Sequence, residues 1–366
     1  MKKTKVVLAS VLKPVDDTRM YEKFGISMSQ TNKYDVNIIG FYSKNIPSHP
    51  GISFYPIFRF NRLSFKRLFA PVQCLKKLIK LKPEIVIVNT HELQLVAWLY
   101  KILFGCKLFY DIRENYYRNI RYTKSFPWLF RPFLAGYVRS IEYLSTLFID
   151  HYFLAEKQYA QEFTFASNNS TVIENKFKPP AYDLPSKAKS TNIDIVFTGT
   201  LAESTGVFEA IKLANQLYAL DNKIRLKIIG YCAIKSTLKK IKSSIESRDH
   251  IQLIGGEELV PHRQILHHIA VANFGFIYYP KNYSTINSIP TKLYEYLGCR
   301  LPILLQNHAP WVALANRFNA CCVISMDHLN PRELLQTMKE KSFYNKGDQR
   351  EILWHHEAKK LLEKLA

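Results

Sequence analysis

Residues 287–305 hold the densest set of side chains able to do chemistry. Asn287-Ser288-Ile289-Pro290-Thr291 is a short polar loop, and Lys292 and Glu295 follow it one helical turn apart. Gly298 then closes a short helix, and Leu301-Pro302-Ile303-Leu304-Leu305 reads as a buried strand. Proline is tolerated in a first helical turn because its missing N–H would have no partner there. The N–H groups at such a loop-to-helix junction, in the stretch Ile289-Pro290-Thr291, make it a candidate anion site. Lys292 adds a full positive charge to it, and Glu295 can accept two hydroxyl hydrogen bonds from a sugar. One loop can thus hold both phosphate and ribose. Periodicity alone favours a plainer reading, a buried helix with Leu293 and Leu297 inward and Lys292 and Glu295 solvated.

A second set lies in the first half. Lys13, Asp16, Asp17 and Arg19 follow the first apolar run, His91 and Glu92 follow another, and Arg113 and Glu114 a third. Asp16 and Asp17 fit either carboxylates on the acceptor side of a cleft or a turn and helix cap. His91 and Glu92 suit the start of a helix equally well. The six cysteines show no C-x-x-C spacing, and no His, Cys or Asp cluster has metal-ligand spacing, so no metal site is expected.

The elements that must position these groups alternate. Strands are predicted at 5–10, 36–41, 85–89, 108–111, 152–155 and 171–173, with helices at 19–31, 68–81, 93–104 and 134–149. After a proline-rich stretch near 178–185 the pattern restarts, with strands at 193–198, 226–230, 251–253, 274–278 and 301–305. Helices at 206–218, 234–247, up to 268, 334–341 and 351–365 accompany them. Apolar runs without alternation, separated by helices, predict parallel sheets covered on both faces. The expected fold class is α/β, with two doubly wound Rossmann-like domains facing a cleft. They span 1–178 and 191–345, with a linker at 179–190 and a closing segment at 346–366 returning toward the first domain. Ligands of open α/β sheets bind beyond the carboxyl ends of strands, where both sets of residues fall.

The 287–302 segment resembles the nucleotide-sugar loop of family 4 glycosyltransferases of the GT-B fold, whose pattern is Pro-x-Lys-x-x-Glu-Tyr-x-x-x-Gly-x-Pro. Here the step before the second proline reads Gly298-Cys299-Arg300-Leu301-Pro302. Other segments resemble that family in order along the chain. Ser10 to Arg19 is similar to its first-strand loop, Asn89-Thr90-His91-Glu92-Leu93 to its H-D/E-L helix start, and Tyr110-Asp111-Ile112-Arg113-Glu114 to its Y-D-x-H-E loop. Ile173-Glu174-Asn175, Phe197-Thr198-Gly199-Thr200-Leu201 and Trp354 extend the likeness. The resemblance implies donor binding by Gly199, Thr200, Ile289, Pro290, Thr291, Lys292 and Glu295. It places Lys13, Asp16, Asp17, Arg19, His91 and Glu114 on the acceptor side.

There are departures from the family pattern. Arg113 stands where the family usually has His, Asn287 where it has the first Glu of a pair, and Lys13 where His is common. Thr200 and Thr205 occupy the places of an Arg and a Lys that clamp the diphosphate. An arginine cannot serve as a base at neutral pH. The implied catalytic roles are therefore charge stabilisation by Arg113 and positioning of sugar hydroxyls by Asn287. In a retaining reaction the departing phosphate itself takes the acceptor proton.

Length suits two substantial cores, and no run of 18 apolar residues exists. The start of the chain reads as a strand rather than a signal peptide, and the scattered cysteines as reduced thiols, so a cytoplasmic protein is expected. The net charge is +21, and residues 1–180 hold +14 of it. The stretch between Asp35 and Glu84 and the stretch 115–141 contain no acid, and the second interleaves arginines with Tyr116, Tyr117, Trp128 and Phe133. Residues 44–82 and 115–141 accordingly predict contact with an anionic membrane surface. No nucleic-acid-binding signature accompanies the charge, and nucleic acid is not expected as a partner. The expected function is a hexosyltransferase-type glycosyltransferase at the inner face of the cytoplasmic membrane. It would take a nucleotide-diphosphate sugar and a lipid-linked glycan acceptor in cell-surface polysaccharide synthesis, with no cofactor. A catalytically silent domain that binds membrane or partner, and a nucleotide-sugar epimerase, are the alternatives.

Overall fold

Apolar runs such as Val6–Ala9 and Ile85–Val88 have no polar face to turn to water, so they fold as central strands covered on both sides. The computed structural model describes all residues except 1, 45, 61–63, 123–125, 188–189 and 281–287. The chain forms two units, Met1–Asn175 with Trp354–Ala366, and Lys176–Leu353.

In the first unit the strands are β1 (Thr4–Pro14), β2 (Tyr34–Phe41), β3 (Ile52–Phe58), β4 (Ile85–Val88), β5 (Lys107–Ile112), β6 (His151–Leu154) and β7 (Ser170–Val172). All pair in parallel, in the order β3-β2-β1-β4-β5-β6-β7. Its helices are α1 (Thr18–Gly25, a wide π-type helix, running on as Ile26–Ser29), α2 (Ala70–Leu81), α3 (His91–Phe104), α4 (Tyr116–Tyr122), α5 (Arg131–Ser145) and α6 (Tyr159–Glu162). Alternate residues of β1 point to opposite faces of the sheet. Val7 and Ala9 pack with Cys74 and Leu78 of α2 and Leu93 and Ala97 of α3. Val6 and Leu8 share the other core with Met20 and Phe24 of α1 and Leu361 of the C-terminal helix (His355–Leu365). Trp354 stacks on Phe24 and donates its indole N–H to Ser27 Oγ at 2.9 Å. Each such fully buried side chain contributes about 1.5–3 kcal/mol of transfer free energy.

The second unit contains β8 (Ile193–Thr200), β9 (Ile224–Tyr231), β10 (Ile251–Gly256), β11 (Phe274–Ile277), β12 (Ile303–Gln306) and β13 (Cys321–Ile324). These are also parallel, in the order β10-β9-β8-β11-β12-β13. Helices α7 (Val207–Tyr218), α8 (Lys235–Ile245), α9 (His262–Val271), α10 (Thr291–Gly298), α11 (Ala309–Asn316) and α12 (Pro331–Glu340) complete it. Both sheets are doubly wound α/β, as the sequence predicts.

Two strands escape the sequence pattern, and both are edge strands. β3 contains Pro56, which cannot donate to a ladder and is tolerated because β3 has a partner on one side only. β13 is four residues long, and its Val323 is exposed. Helix α5 starts at Arg131 rather than 134, because Pro132 fits a first turn. The strand order reverses between β1 and β4 and again between β8 and β11, which in open α/β sheets marks the place where ligands bind.

Candidate functional site

At the reversal point of the second sheet, β8 ends at Gly199-Thr200 and β11 leads toward α10. Gly199 has φ +105°, a conformation that strains any residue with a side chain, and a Cβ there would lie 3.9 Å from Lys292 Cε. Neighbouring Gly230 is equally constrained, since a Cβ would fall 1.7 Å from the Gly199 carbonyl oxygen. The backbone therefore lies close against the Lys292 stem. Tyr296 OH lies 3.0 Å from Thr198 Oγ1 and accepts the Thr198 N–H at 3.2 Å, joining α10 to the end of β8. Trp311 donates its indole N–H to the Ser288 carbonyl at 2.7 Å, fixing the approach to α10.

Lys292 is 7 % exposed, and its Nζ has no hydrogen-bond partner among the described residues. It sits 4.2 Å from the ring centre of Phe197 and 5.3 Å from that of Tyr279. Burial pushes its ammonium down to about 7, and Glu295 opposes the shift only in part. A buried cation is held here by aromatic faces and a carboxylate one turn away, an arrangement that favours an arriving anion. Pro290 occupies the cap position, its carbonyl accepting the Leu293 N–H at 2.9 Å, and among the described residues no side chain caps the first turn of α10 at Thr291. Ile289 is half-buried beside it. Glu295 Oε1 meets His262 Nε2 at 3.0 Å. Thr200 is exposed, and its carbonyl accepts the Thr205 hydroxyl at 2.7 Å, so Thr205 closes its own loop. Asn287 lies outside the described residues.

At the reversal point of the first sheet the charged groups are paired. Arg113 donates to both Asp17 oxygens, at 2.8 and 3.1 Å. Asp17 also accepts the N–H groups of Arg19 and Met20 and so caps α1. Burial alone would raise the Asp17 carboxyl, but the charge and hydrogen bonds of Arg113 outweigh it and hold it at about 2. Arg19 is 1 % exposed and makes a bidentate pair with Asp111, from Nε at 2.9 Å and Nη2 at 2.7 Å. Its remaining nitrogen donates to the Ile173 carbonyl and to Asn175 Oδ1, both at 2.9 Å, so Arg19 ties strand ends together. Lys13 pairs with Glu114 at 2.9 Å.

Some polar atoms here remain open. Asp16 accepts the Ser43 hydroxyl at 2.8 Å through one oxygen, while the other is buried without a partner among the described residues. Burial raises its carboxyl, and Ser43 moderates the rise. Asn89 Oδ1 is likewise buried without a hydrogen-bond partner among the described residues, His91 Nδ1 lies 3.5 Å from Glu92 Oε2, and both Asn89 and His91 touch Tyr116, whose hydroxyl donates to the Asn89 carbonyl. Burial keeps His91 below the usual imidazole range.

The structure thus brings together Gly199, Lys292 and the start of α10, and separately Lys13 with Glu114 and Asp17 with Arg113. Sequence reasoning missed His262, Trp311 and Asn89. The first two act on partners 33 and 23 residues away, and no local pattern signals them. Asn89 lies in the segment 89–93, where the sequence assigns it no role.

No protein-family model matches the chain, and no curated protein matches it in sequence. Among solved structures it is similar to the sucrose-phosphate synthase of Thermosynechococcus elongatus, with a TM-score of 0.68 and 13 % identity over 99 % of this chain and 98 % of that one. HepE of Anabaena in complex with UDP-glucose gives a TM-score of 0.66 and 11 % identity over 99 % of each chain. The catalytic domain of starch synthase IV from Arabidopsis thaliana, bound to ADP and acarbose, gives 0.63 and 12 % over 99 % and 95 %. These neighbours are glycosyltransferases of the GT-B class, and the chain shares their fold. Among the described residues no group of three His, Cys, Asp or Glu side chains could hold a metal ion.

Proposed function

We propose that this protein is a glycosyltransferase that moves a hexose from a nucleotide-diphosphate sugar to a lipid-linked glycan acceptor, as in cell-surface polysaccharide assembly. The observation that carries this reading is Lys292, a buried ammonium without a hydrogen-bond partner among the described residues, at the reversal point of the second sheet beside the start of α10. Charge grows on the diphosphate as the glycosidic bond breaks, and preorganised donors must meet it. Lys292 and the amides around Ile289 and Thr291 supply them, while Gly199 leaves room for the backbone to approach. Glu295, oriented by His262, accepts the ribose hydroxyls. Arg113 stabilises charge on the reacting sugar, and Asn287 positions its hydroxyls. Asp17 holds the guanidinium in place. The reaction runs without metal and with retention, as in family 4, the leaving phosphate accepting the acceptor proton.

Two of the similar structures are complexes with UDP-glucose and with ADP, which supports a nucleotide-diphosphate donor. Exposed aromatics within the acid-free stretches, Phe65, Trp128 and Phe133 among them, support an acceptor presented at an anionic membrane on the cytoplasmic side. The test is release of nucleotide from a panel of UDP-, ADP-, GDP- and dTDP-hexoses, with and without a polyprenyl-linked sugar, in chelator. Acceptor-dependent release from one donor is expected. Tight nucleotide binding without release from any donor would contradict the transferase reading.

A further inference from the structure

Helix α3 lies outside both basic stretches, yet it is apolar on its outer side as well as its inner one. Leu93, Ala97 and Tyr100 face the core, while Leu95, Leu99, Ile102 and Leu103 are 40 to 60 % exposed. Helices α2 and α5 pack on either side of it. Val72 and Ile79 of α2 and Phe133, Tyr137 and Leu144 of α5 are exposed too, and the turn Phe65–Phe69 before α2 shows Phe65 and Leu68 to solvent. Scattered exposed apolar residues need no explanation, but a run across three adjacent helices does.

The charges of this layer have one sign. α2 contains no acid, the only acid of α3 is Glu92, and the only acid of α5 is Glu142. Glu92 is held by Arg67, and Glu142 is fully buried, so the layer presents no open carboxylate. Lys66, Lys76 and Lys80 are exposed on or beside α2, and Arg121 at the end of α4, which packs on α5. A second copy would bring two basic, acid-free faces together and meet repulsion. An anionic lipid surface matches both the charge and the apolar residues. Trp128, Tyr137 and Tyr143 suit the headgroup level, where amphipathic rings concentrate. Among the described residues no helix is long and apolar enough to cross a membrane.

We propose that the outer face of the α2–α3–α5 layer inserts into one leaflet of an anionic bilayer, with the α3 row Leu95, Leu99 and Ile102 at its centre. This rests on the membrane-presented acceptor proposed above and adds to it an apolar seat rather than charge attraction alone.

The full chain is tested by co-sedimentation with vesicles of phosphatidylcholine containing phosphatidylglycerol, at low salt and at roughly 1 M sodium chloride, where charge attraction is screened within about 3 Å. The wild type is expected to stay bound in high salt, and the variant Leu99→Ser/Ile102→Ser to lose on the order of 100-fold in partitioning. Both residues are exposed, so the thermal transition and nucleotide affinity of the variant should be unchanged. Nucleotide titration therefore separates failure of this inference from failure of the donor site. Binding abolished by salt and indifferent to the α3 variant would overturn insertion. Absence of vesicle binding together with a dimer, seen in light scattering and lost in the variant, would assign the face to a second copy instead.

Discussion

Lys292 is buried against two aromatic rings with no hydrogen-bond partner among the described residues, and its titration makes that testable. In the unfolded chain a lysine titrates near 10.5, whereas here it titrates at about 7. Between those values the unfolded chain holds one proton more than the folded one. Stability therefore rises with pH, by about 1.4 kcal/mol per unit from this group, and the full penalty is present below 7. Lys292→Met should raise stability by about 2 kcal/mol at neutral pH, flatten the dependence between pH 7 and 10, and weaken nucleotide binding more than tenfold. Chemical denaturation across that range checks all but the last. Asp17 behaves oppositely. Its stabilisation is complete above pH 3.8 and is lost as pH falls through about 2. Arg113→Ala leaves that carboxylate without its partner, so we expect a loss of about 3 kcal/mol and acid unfolding that begins at higher pH, followed by circular dichroism. In the same variant turnover should fall more than donor affinity. Lys292 and Glu295 were legible because one helical turn separates them in sequence. That Lys292 is buried and that His262 orients Glu295 were not, because both follow from tertiary packing.

The elements were legible where physics is local and obscured where position in the sheet decides. Central runs such as Ile85–Val88 can only be buried strands. β3, with its proline, reads as a strand only once it is known to be at an edge. The join between β8 and α10 is likewise invisible in sequence, although it sets the site. Tyr296→Phe removes the hydroxyl shared with Thr198, which is 1 % exposed, and should cost about 1–2 kcal/mol in urea unfolding. Gly230→Ala would press a methyl group on the Gly199 carbonyl and displace the loop beside Lys292. Its expected signature is a loss of nucleotide affinity of at least about tenfold, larger than its effect on thermal stability would suggest. Equal affinity in this variant would mean that the Gly199 loop does not approach the ligand.

Across the whole molecule, charge and apolar exposure are concentrated rather than spread. Two basic, acid-free stretches are visible in the sequence, but helix α3 between them looks like ordinary core, and only its packing between α2 and α5 shows that half of its apolar residues face outward. The chain leaves the first unit after Asn175 and re-enters it at Trp354, whose ring fills the space beside Phe24. The central claim, however, concerns the second unit, and one measurement reaches it most directly. Calorimetric titration of the full chain with UDP, ADP, GDP, CMP and dTDP, in chelator at about pH 8 and in two buffers of different ionisation enthalpy, reads affinity and proton uptake together. We predict that one nucleoside diphosphate binds without metal and takes up close to one proton, because its phosphates restore the charge on Lys292, and that both signals vanish in Lys292→Met. Binding of none of them, or equal binding by the variant with no proton uptake, would contradict the account.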